Sequence, residues 1–503
     1  MSETDIQKQS LRSRGICVII PTYNNAGTIA SVTERALAQC LDVIVVCDGC
    51  TDGTVGILEN LPGGPVLVEL KKNSGKGTAL KEGFKKALEM GFAYAITLDG
   101  DGQHFPEDIP LMLEANRKHP GALIVGQRKH LKDMPRSKGS KFANSFSNFW
   151  FAVQTGHYLA DTQTGYRLYP LKKLHGLSLL TSRYEAELEL MVLASWHGVK
   201  LVTQPVEVYY PPVEERVSHF RPGKDFARIT ILNSILCLLA IVYGYPLTLL
   251  RAIMTFLRTL YSFLVFFINT MFIMTPLVHL YLLFGKVTEK KKYNLHRMLN
   301  FMSKFVLKIH GIPGVKYTES NIYGEDFSKP AVFICNHQSH LDLMPMLALT
   351  PKIIVLTADW VWKNPVYRFT IRNAEFLPAT HGMDAIMPQL KSLVERGYSI
   401  CVYPEGTRSQ DLSIGRFHQG AFHISRTLGV DIIPMVIYGT GRALPKHGRL
   451  LRKWPVHLEI NKRLSPSELA TMAGQTTREQ ASWMRKWYKE RYTELADRFE
   501  QNV

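Results

Sequence analysis

The chain has 503 residues, enough for about three domain-sized units. Its 46% apolar and 20% charged content excludes a disordered chain, and seven scattered cysteines exclude a disulfide framework and fit a reduced, cytosolic setting. A net charge of +17 points to anionic partners; with no aromatic-rich RNA module or zinc-finger spacing beside it, an anionic membrane is expected and nucleic acid is not.

Residues 1–14 are polar and lack an apolar core, so no signal peptide is expected there. Short apolar runs at 16–20, 43–46, 65–70, 95–98 and 122–125 read as strands, and 28–40 and 78–90 have helical spacing. Continuous apolar strands separated by helices predict a parallel sheet covered on both faces. Ligands of such sheets bind beyond the carboxyl ends of the strands, where Thr22, Asp48 and Asp99 fall. Cys47 and Cys50 form a C-x-x-C pair, but no second ligand pair lies at zinc spacing.

Two apolar segments follow, 229–250 and 259–284, each near the length of about 20 residues that crosses a bilayer. Pro246 and Pro276 interrupt them, and Arg251 and Arg258 lie in the piece between. The expectation is a membrane-associated helical hairpin, spanning or embedded in one leaflet. Arg221, Lys224 and Arg228 precede it, and Lys286, Lys290, Lys291, Lys292 and Arg297 follow. Basic flanks at both ends predict that both neighbouring domains face the cytoplasm. Strands at 332–335, 353–356, 399–403 and 432–438 and a helix at 383–396 then restore α/β alternation, and 477–501 reads as a charged amphipathic helix.

Two groups of polar residues carry the chemistry. In the first, Leu98-Asp99-Gly100-Asp101 puts two carboxylates on one tight turn after a strand. Mg²⁺ is typically held by one or two carboxylates plus substrate phosphates, so the pair suits a metal holding a diphosphate. Four motifs accompany it: Pro21-Thr22-Tyr23-Asn24-Asn25, Asp48-Gly49-Cys50-Thr51-Asp52-Gly53-Thr54, Asn73-Ser74-Gly75-Lys76-Gly77-Thr78 and Asp161-Thr162-Gln163-Thr164-Gly165-Tyr166-Arg167. Together, over about residues 15–228, they resemble the family 2 glycosyltransferases of GT-A fold, in the branch that includes polyprenyl-phosphate mannosyl- and glucosyltransferases.

That resemblance implies roles at the matching positions. Thr22 and Asp48 would contact the base and ribose of a nucleotide-sugar donor, with Lys76 near its phosphates. Asp99 and Asp101 would hold the sugar diphosphate through Mg²⁺ or Mn²⁺, with Gln103 and His104 continuing the motif. Arg167 and Arg216, with Ser218, would bind the acceptor or the leaving diphosphate. Cys47 stands where an acidic residue is usual and Cys50 where serine is. A hydroxyl acceptor needs a general base, for which Glu185 and Glu187 are the candidates with Asp161 behind them; a phosphate acceptor needs none.

In the second group, His337 and Asp342 form H-x-x-x-x-D. A neutral imidazole can take a proton from an attacking hydroxyl while a carboxylate on its other nitrogen fixes the tautomer. Tyr403-Pro404-Glu405-Gly406-Thr407-Arg408 leaves a later strand, followed by Phe417-His418-Gln419-Gly420 and Ile433-Pro434. Over about 295–470 these resemble the lysophosphatidic acid acyltransferases. The resemblance implies His337 as base, Asp342 as its orienter, and Glu405, Gly406 and Arg408 as binding the acceptor head or shaping the site. Members that acylate glycerol phosphates usually carry an acidic-arginine pair after a short apolar strand. Here Phe376-Leu377-Pro378-Ala379 runs on to Thr380-His381, which favours a sugar hydroxyl or a non-phosphate lipid as acceptor.

The expected layout is therefore α/β throughout its catalytic parts: a GT-A nucleotide-sugar-binding domain at 1–228, membrane-embedded helices and a basic linker at 229–294, and a glycerolipid acyltransferase-like α/β domain at 295–503. The expected function is a bifunctional glycosyltransferase and O-acyltransferase of the cytoplasmic membrane. It would use a nucleotide sugar and an acyl-CoA or acyl carrier protein to build a glycolipid or pigment-lipid on a lipid acceptor. The alternatives are a polyprenyl-phosphate glycosyltransferase whose acyltransferase acts independently, and a chain in which one domain serves only to bind lipid.

Overall fold

The computed structural model describes residues 3–129, 138–209, 222–364 and 368–501. The chain divides into two compact units, Met1–Ala252 with Asp497–Val503, and Ile253–Ala496.

The first unit is built on a seven-stranded sheet, β1 (Ile16–Thr22), β2 (Val43–Asp48), β3 (Val66–Leu70), β4 (Tyr94–Thr97), β5 (Leu123–Arg128), β6 (Arg167–Pro170) and β7 (Leu201–Val206), ordered β3-β2-β1-β4-β6-β5-β7. Every residue of β1, β2 and β4 is buried, as β-branched runs covered by helices on both faces require. The helix expected at 28–40 is Ile29–Gln39, and that expected at 78–90 is Lys76–Glu89. One strand departs from the parallel expectation. β6 runs antiparallel to both β4 and β5, pairing Thr97 with Arg167. Its reversal puts its first residue, Arg167, at the same edge as the carboxyl ends of the parallel strands.

The second unit repeats the layered plan with β8 (Val315–Asn321), β9 (Ala331–Cys335), β10 (Ile353–Thr357), β11 (Leu377–Pro378), β12 (Ser399–Val402), β13 (Asp431–Tyr438) and β14 (Trp454–Ile460). The order is β11-β10-β12-β9-β13-β14-β8, parallel except where β13 meets β14. β9 pairs with β12 on one side and β13 on the other, so the segments leaving these three strands converge.

The hairpin expectation is corrected. Residues 251–258, expected to connect two helices, lie inside the helix Tyr245–Ile268. Phe226–Leu283 is one helical run of 58 residues, long and apolar enough to cross a membrane. No turn forms because the connecting piece holds no glycine or proline, and its arginines are spent on carbonyls: Arg251 donates to Trp196 O (3.1 Å) and Arg258 to Leu451 O (2.6 Å). The prolines do not break the run either. The wider π-turns Ala240–Gly244 and Asn269–Met274 precede Pro246 and Pro276 and absorb the missing donor and the ring clash.

Candidate active sites

In the first unit, Asp99 and Asp101 lie on the turn just beyond β4. Asp99 Oδ1 is 2.7 Å from Lys76 Nζ, and Lys76 Nζ is 2.9 Å from Glu187 Oε2. Glu187 Oε1 continues the line to Arg167 Nη1 at 3.7 Å. Arg167, fully buried, also donates to Tyr169 Oη, to the carbonyl of Glu187 and to that of Thr162, each at 3.0 Å. The structure thus joins four sequence candidates from four separate segments into one alternating chain of charge. Burial alone would raise the Asp99 carboxyl, but Lys76, His104 and Arg167 outweigh it and hold it down at about 2. Lys76 is likewise held protonated, burial opposing and Asp99 and Glu187 prevailing. Asp101 moves the other way: burial first, then the charge of Asp99, push it above the usual carboxylate range. His104 is buried, which lowers its proton affinity, and its Nδ1 accepts from Asp99 N at 3.3 Å.

Lys76 is presented by a turn that only glycine permits. Gly75 has φ +98°, and a Cβ there would lie 2.7 Å from the carbonyl oxygen of Ser182. Asp48, buried, fastens this turn: its two oxygens accept from Ser74 N and Gly75 N, each at 2.7 Å. Both oxygens of this sequence-read nucleotide contact are therefore used internally. Thr22 Oγ1 accepts from Asn25 Nδ2 at 3.0 Å, next to Gly100 of the aspartate turn. Asp161 is not gathered with the glutamates as a base. Its carboxylate takes both Arg128 Nε and Nη2 at 2.7 Å, a bidentate pair that ties up its lone pairs. Glu185 is buried, and among the described residues its Oε2 has no hydrogen-bond partner. Arg216 and Ser218 lie outside the described residues. A leucine-rich cavity of about 710 Å³, lined among others by Leu80, Phe84, Leu174 and Leu190, shares Gly77 and Glu187 with this site.

Among the described residues no group of three or more His, Cys, Asp or Glu forms a ready metal cage, and Cys47 and Cys50 are free thiols. The Asp99–Asp101 turn nonetheless fits a hard divalent cation. It offers two carboxylate donors, Asp101 raised first by burial and then by the charge of Asp99, and Mg²⁺ and Mn²⁺ sites of this kind draw their other ligands from substrate phosphates and water.

In the second unit, His337 leaves β9 and Nδ1 meets Asp342 Oδ2 at 2.8 Å. The same oxygen accepts from Gln338 N (2.7 Å) and Ser339 N (2.8 Å), so the carboxylate is locked before it touches the imidazole. Ser339 caps the short helix His340–Asp342 in a reciprocal capping box, which explains why the H-x-x-x-x-D spacing closes. Glu405 follows β12, and one oxygen accepts from His337 N (2.8 Å) while the other accepts from Gly415 N (2.7 Å). Burial raises its carboxyl. With both oxygens engaged by backbone, Glu405 shapes the site rather than presenting itself to an acceptor. Gly406, at φ +67°, makes the turn that brings His418 against it. Tyr403 stacks on the His337 ring at 4.3 Å between centroids. Arg408 donates to Lys446 O at 3.3 Å, and Lys446 is a neighbour the sequence reading did not single out. Its only sequence signal is a lysine shortly after β13.

The glycosyl transferase family 2 model matches residues 17–174. Over 217 residues the chain is 30% identical to the UDP-N-acetylglucosamine–dolichyl-phosphate N-acetylglucosaminyltransferase of Methanococcus voltae, covering 39% of this chain and 86% of that protein. The chain belongs to glycosyltransferase family 2. Its second part carries an acyltransferase domain, the acyltransferase family model matching residues 314–438. There it is 30% identical over 142 residues to a chloroplastic 1-acyl-sn-glycerol-3-phosphate acyltransferase of Arabidopsis thaliana, covering 25% of this chain and 40% of the plant protein. It is also similar to the crystal structure of the lysophosphatidic acid acyltransferase of Thermotoga maritima, at 20% identity and a TM-score of 0.41, covering 50% of this chain and 99% of that one. The glycosyltransferase match thus contains Lys76, Asp99 and Arg167, with Glu187 just beyond it, and the acyltransferase match contains the His337–Asp342 pair.

Proposed function

We propose that the protein is a bifunctional membrane enzyme that transfers a sugar from a nucleotide donor to a lipid acceptor and an acyl chain to a hydroxyl, building a glycolipid or pigment-lipid. The observation that carries this reading is that each unit closes its own set of reactive side chains at the carboxyl ends of its own sheet.

In the glycosyltransferase site, Asp99 and Asp101 would hold Mg²⁺ or Mn²⁺, which when bound offsets charge on the departing diphosphate. Thr22 and Asp48 flank the nucleotide, Asp48 by holding the turn of Lys76. Lys76 meets phosphate oxygens, and Glu187, braced in turn by Arg167, keeps it in place. Arg167, expected to bind the acceptor or the leaving diphosphate, is buried with its guanidinium engaged internally and supports the site from behind. For a hydroxyl acceptor Glu185 takes the proton; for a phosphate acceptor none need be taken. The leucine-rich cavity that shares Glu187 supports an acceptor with an apolar chain.

In the acyltransferase site, Asp342 accepts a hydrogen bond from Nδ1–H of His337, which leaves Nε2 free to accept a proton from the substrate. The substrate hydroxyl attacks the thioester carbonyl of acyl-CoA or acyl carrier protein, Nε2 takes its proton, and the thiolate leaves and regains a proton. Glu405 holds the His337 backbone, and Arg408 binds the polar head of a substrate.

The exposed apolar run within Phe226–Leu283, followed by Lys286, Lys290, Lys291 and Lys292, supports anchoring in an anionic cytoplasmic membrane. A second reading, a polyprenyl-phosphate glycosyltransferase with an independently acting acyltransferase, draws support from the dolichyl-phosphate named for the Methanococcus relative. Lipid mass spectrometry of cells with and without the gene separates the two. Loss of one species carrying both sugar and acyl masses supports the first. Loss of a sugar-phosphate lipid without an acyl group supports the second, and an unchanged lipid profile overturns both.

A further inference from the structure

Cys47 stands at the end of β2, and the chain turns tightly to Cys50 through a hydrogen bond from Gly49 N to Cys47 O at 3.0 Å. The two thiols are hydrogen-bonded to each other and pack into one apolar cluster. Cys47 is 1% exposed, whereas Cys50 is half-buried and reaches solvent. Cys50 Sγ also donates to Thr22 O at 3.7 Å. The bond between the thiols lowers the proton affinity of Cys50 against the effect of burial, and the same bond, then burial, raises that of Cys47. A half-exposed thiol that ionises readily, beside a buried one that does not, makes an attacking and a resolving cysteine. The turn between them serves the sugar site. Asp48 holds Ser74 N and Gly75 N behind Lys76, each at 2.7 Å. Gly49 packs so tightly that a Cβ there would sit 2.4 Å from Lys72 C. Just past the pair, Thr51 N donates to Asn24 Oδ1 at 2.8 Å, which joins this turn to the one after β1.

We infer that Cys47 and Cys50 form a reversible thiol–disulfide site, oxidised by small-molecule disulfides, that controls the nucleotide-sugar site of the first unit. The Cys50 thiolate attacks one sulfur of the small disulfide and expels the other as a thiolate. Cys47 then attacks Cys50 Sγ and expels the second thiolate. The protons lost by the two cysteines pass to the two expelled thiolates, so the small disulfide is reduced to two thiols as the protein pair is oxidised. Closing the bond draws Cys50 Sγ toward Cys47 and away from Thr22 O, and it turns the segment that carries Asp48. The Lys76 loop then loses its fastening. In a reducing cytosol such a bond is transient, so it reports oxidation rather than bracing the fold. The control it exerts rests on the glycosyl-transfer reading, because only a donor site beside the pair gives closure that consequence.

The test uses the full chain in membranes, treated with oxidised glutathione and then with dithiothreitol, each thiol being followed by peptide mass spectrometry. The wild type is expected to gain a Cys47–Cys50 disulfide that dithiothreitol removes. Cys47→Ser should stall with glutathione on Cys50, and Cys50→Ser should leave Cys47 unmodified. Binding of UDP and of GDP, each with Mn²⁺, is measured on the same samples. For whichever binds, oxidation should raise Kd about tenfold, the contribution of one charge-assisted hydrogen bond, and dithiothreitol should reverse the rise. Cys50→Ser should show one Kd before and after glutathione. A disulfide in a chain that binds neither nucleotide when reduced leaves the thiol site standing and overturns the glycosyl-transfer reading, and the control with it. Wild-type thiols that stay free, or glutathione found on Cys47 of the Cys50→Ser variant, overturn the thiol site. A disulfide that leaves Kd unchanged overturns the control. So does an equal loss of binding in treated Cys50→Ser, because another cysteine would then be responsible.

Discussion

Gly165 lies so close beneath Asp99 that a Cβ there would sit 2.4 Å from Asp99 Oδ2 and 2.8 Å from Oδ1. The Asp99 carboxylate is thus packed on bare backbone from a segment more than sixty residues away. Gly165→Ala should displace Asp99 and cost about 10²-fold in sugar transfer, the order expected for a misplacement near 1 Å. The folded fraction and acyl transfer should be retained. Nucleotide-sugar turnover at wild-type rate in this variant would show that Asp99 needs no such seat.

Asp101→Asn should abolish sugar transfer and leave acyl transfer measurable, since the histidine site lies in the other domain. Because Asp101 is raised above the usual carboxylate range, it must shed a proton to act as a ligand. Mn²⁺ affinity should therefore fall as pH falls through that raised value, at a higher pH than an ordinary carboxylate would dictate. Metal titrations at several pH values check the sign; activity persisting in excess chelator would sink the metal role.

Lys76→Met leaves buried Glu187 and half-buried Asp99 without their shared cation. Breaking a buried ion pair from one side costs about 3–5 kcal/mol, so the variant should unfold at clearly lower denaturant. The double variant Lys76→Met with Glu187→Gln removes one orphaned charge and should recover part of the loss. Equal stability of the single variant and the wild type would mean the two carboxylates are solvated better than their burial implies.

His337→Ala should lower acyl transfer by about 10²–10⁴-fold while leaving acyl-donor binding nearly intact. Asp342→Asn should be impaired as well, because an amide can favour the wrong imidazole tautomer. Radiolabelled acyl donor with total lipid acceptors measures both. An unchanged rate in His337→Ala would place the base elsewhere.

The protein should stay with membranes through a high-salt wash and leave only with detergent. Attraction between basic flanks and anionic lipid is screened over about 8 Å at physiological salt and less above it. The exposed apolar side chains of the run Phe226–Leu283 are indifferent to salt. Release by salt alone would put this helix in contact with protein rather than lipid.

Much of this was already written in the sequence, because its signals are local. Apolar runs gave β1, β2, β9 and β13 nearly to the residue, and the aspartate turn and the H-x-x-x-x-D pair each lie within six consecutive positions. What depends on contacts between distant segments was not legible. Nothing in the spacing told that β6 would reverse and deliver Arg167 to Glu187, or that Arg128 would occupy Asp161. Asp48 read as a ligand contact and Glu405 as binding the acceptor head or shaping the site; both carboxylates hold backbone N–H groups of remote turns. The expected hairpin failed because a helix has no periodic mark for where it must turn back. Its arginines found carbonyl partners and its prolines found π-turns. Residue type and local spacing set which groups can react. Tertiary structure decides which of them are left unpaired to do so, since a buried polar group is taken up by whichever partner the fold brings within reach.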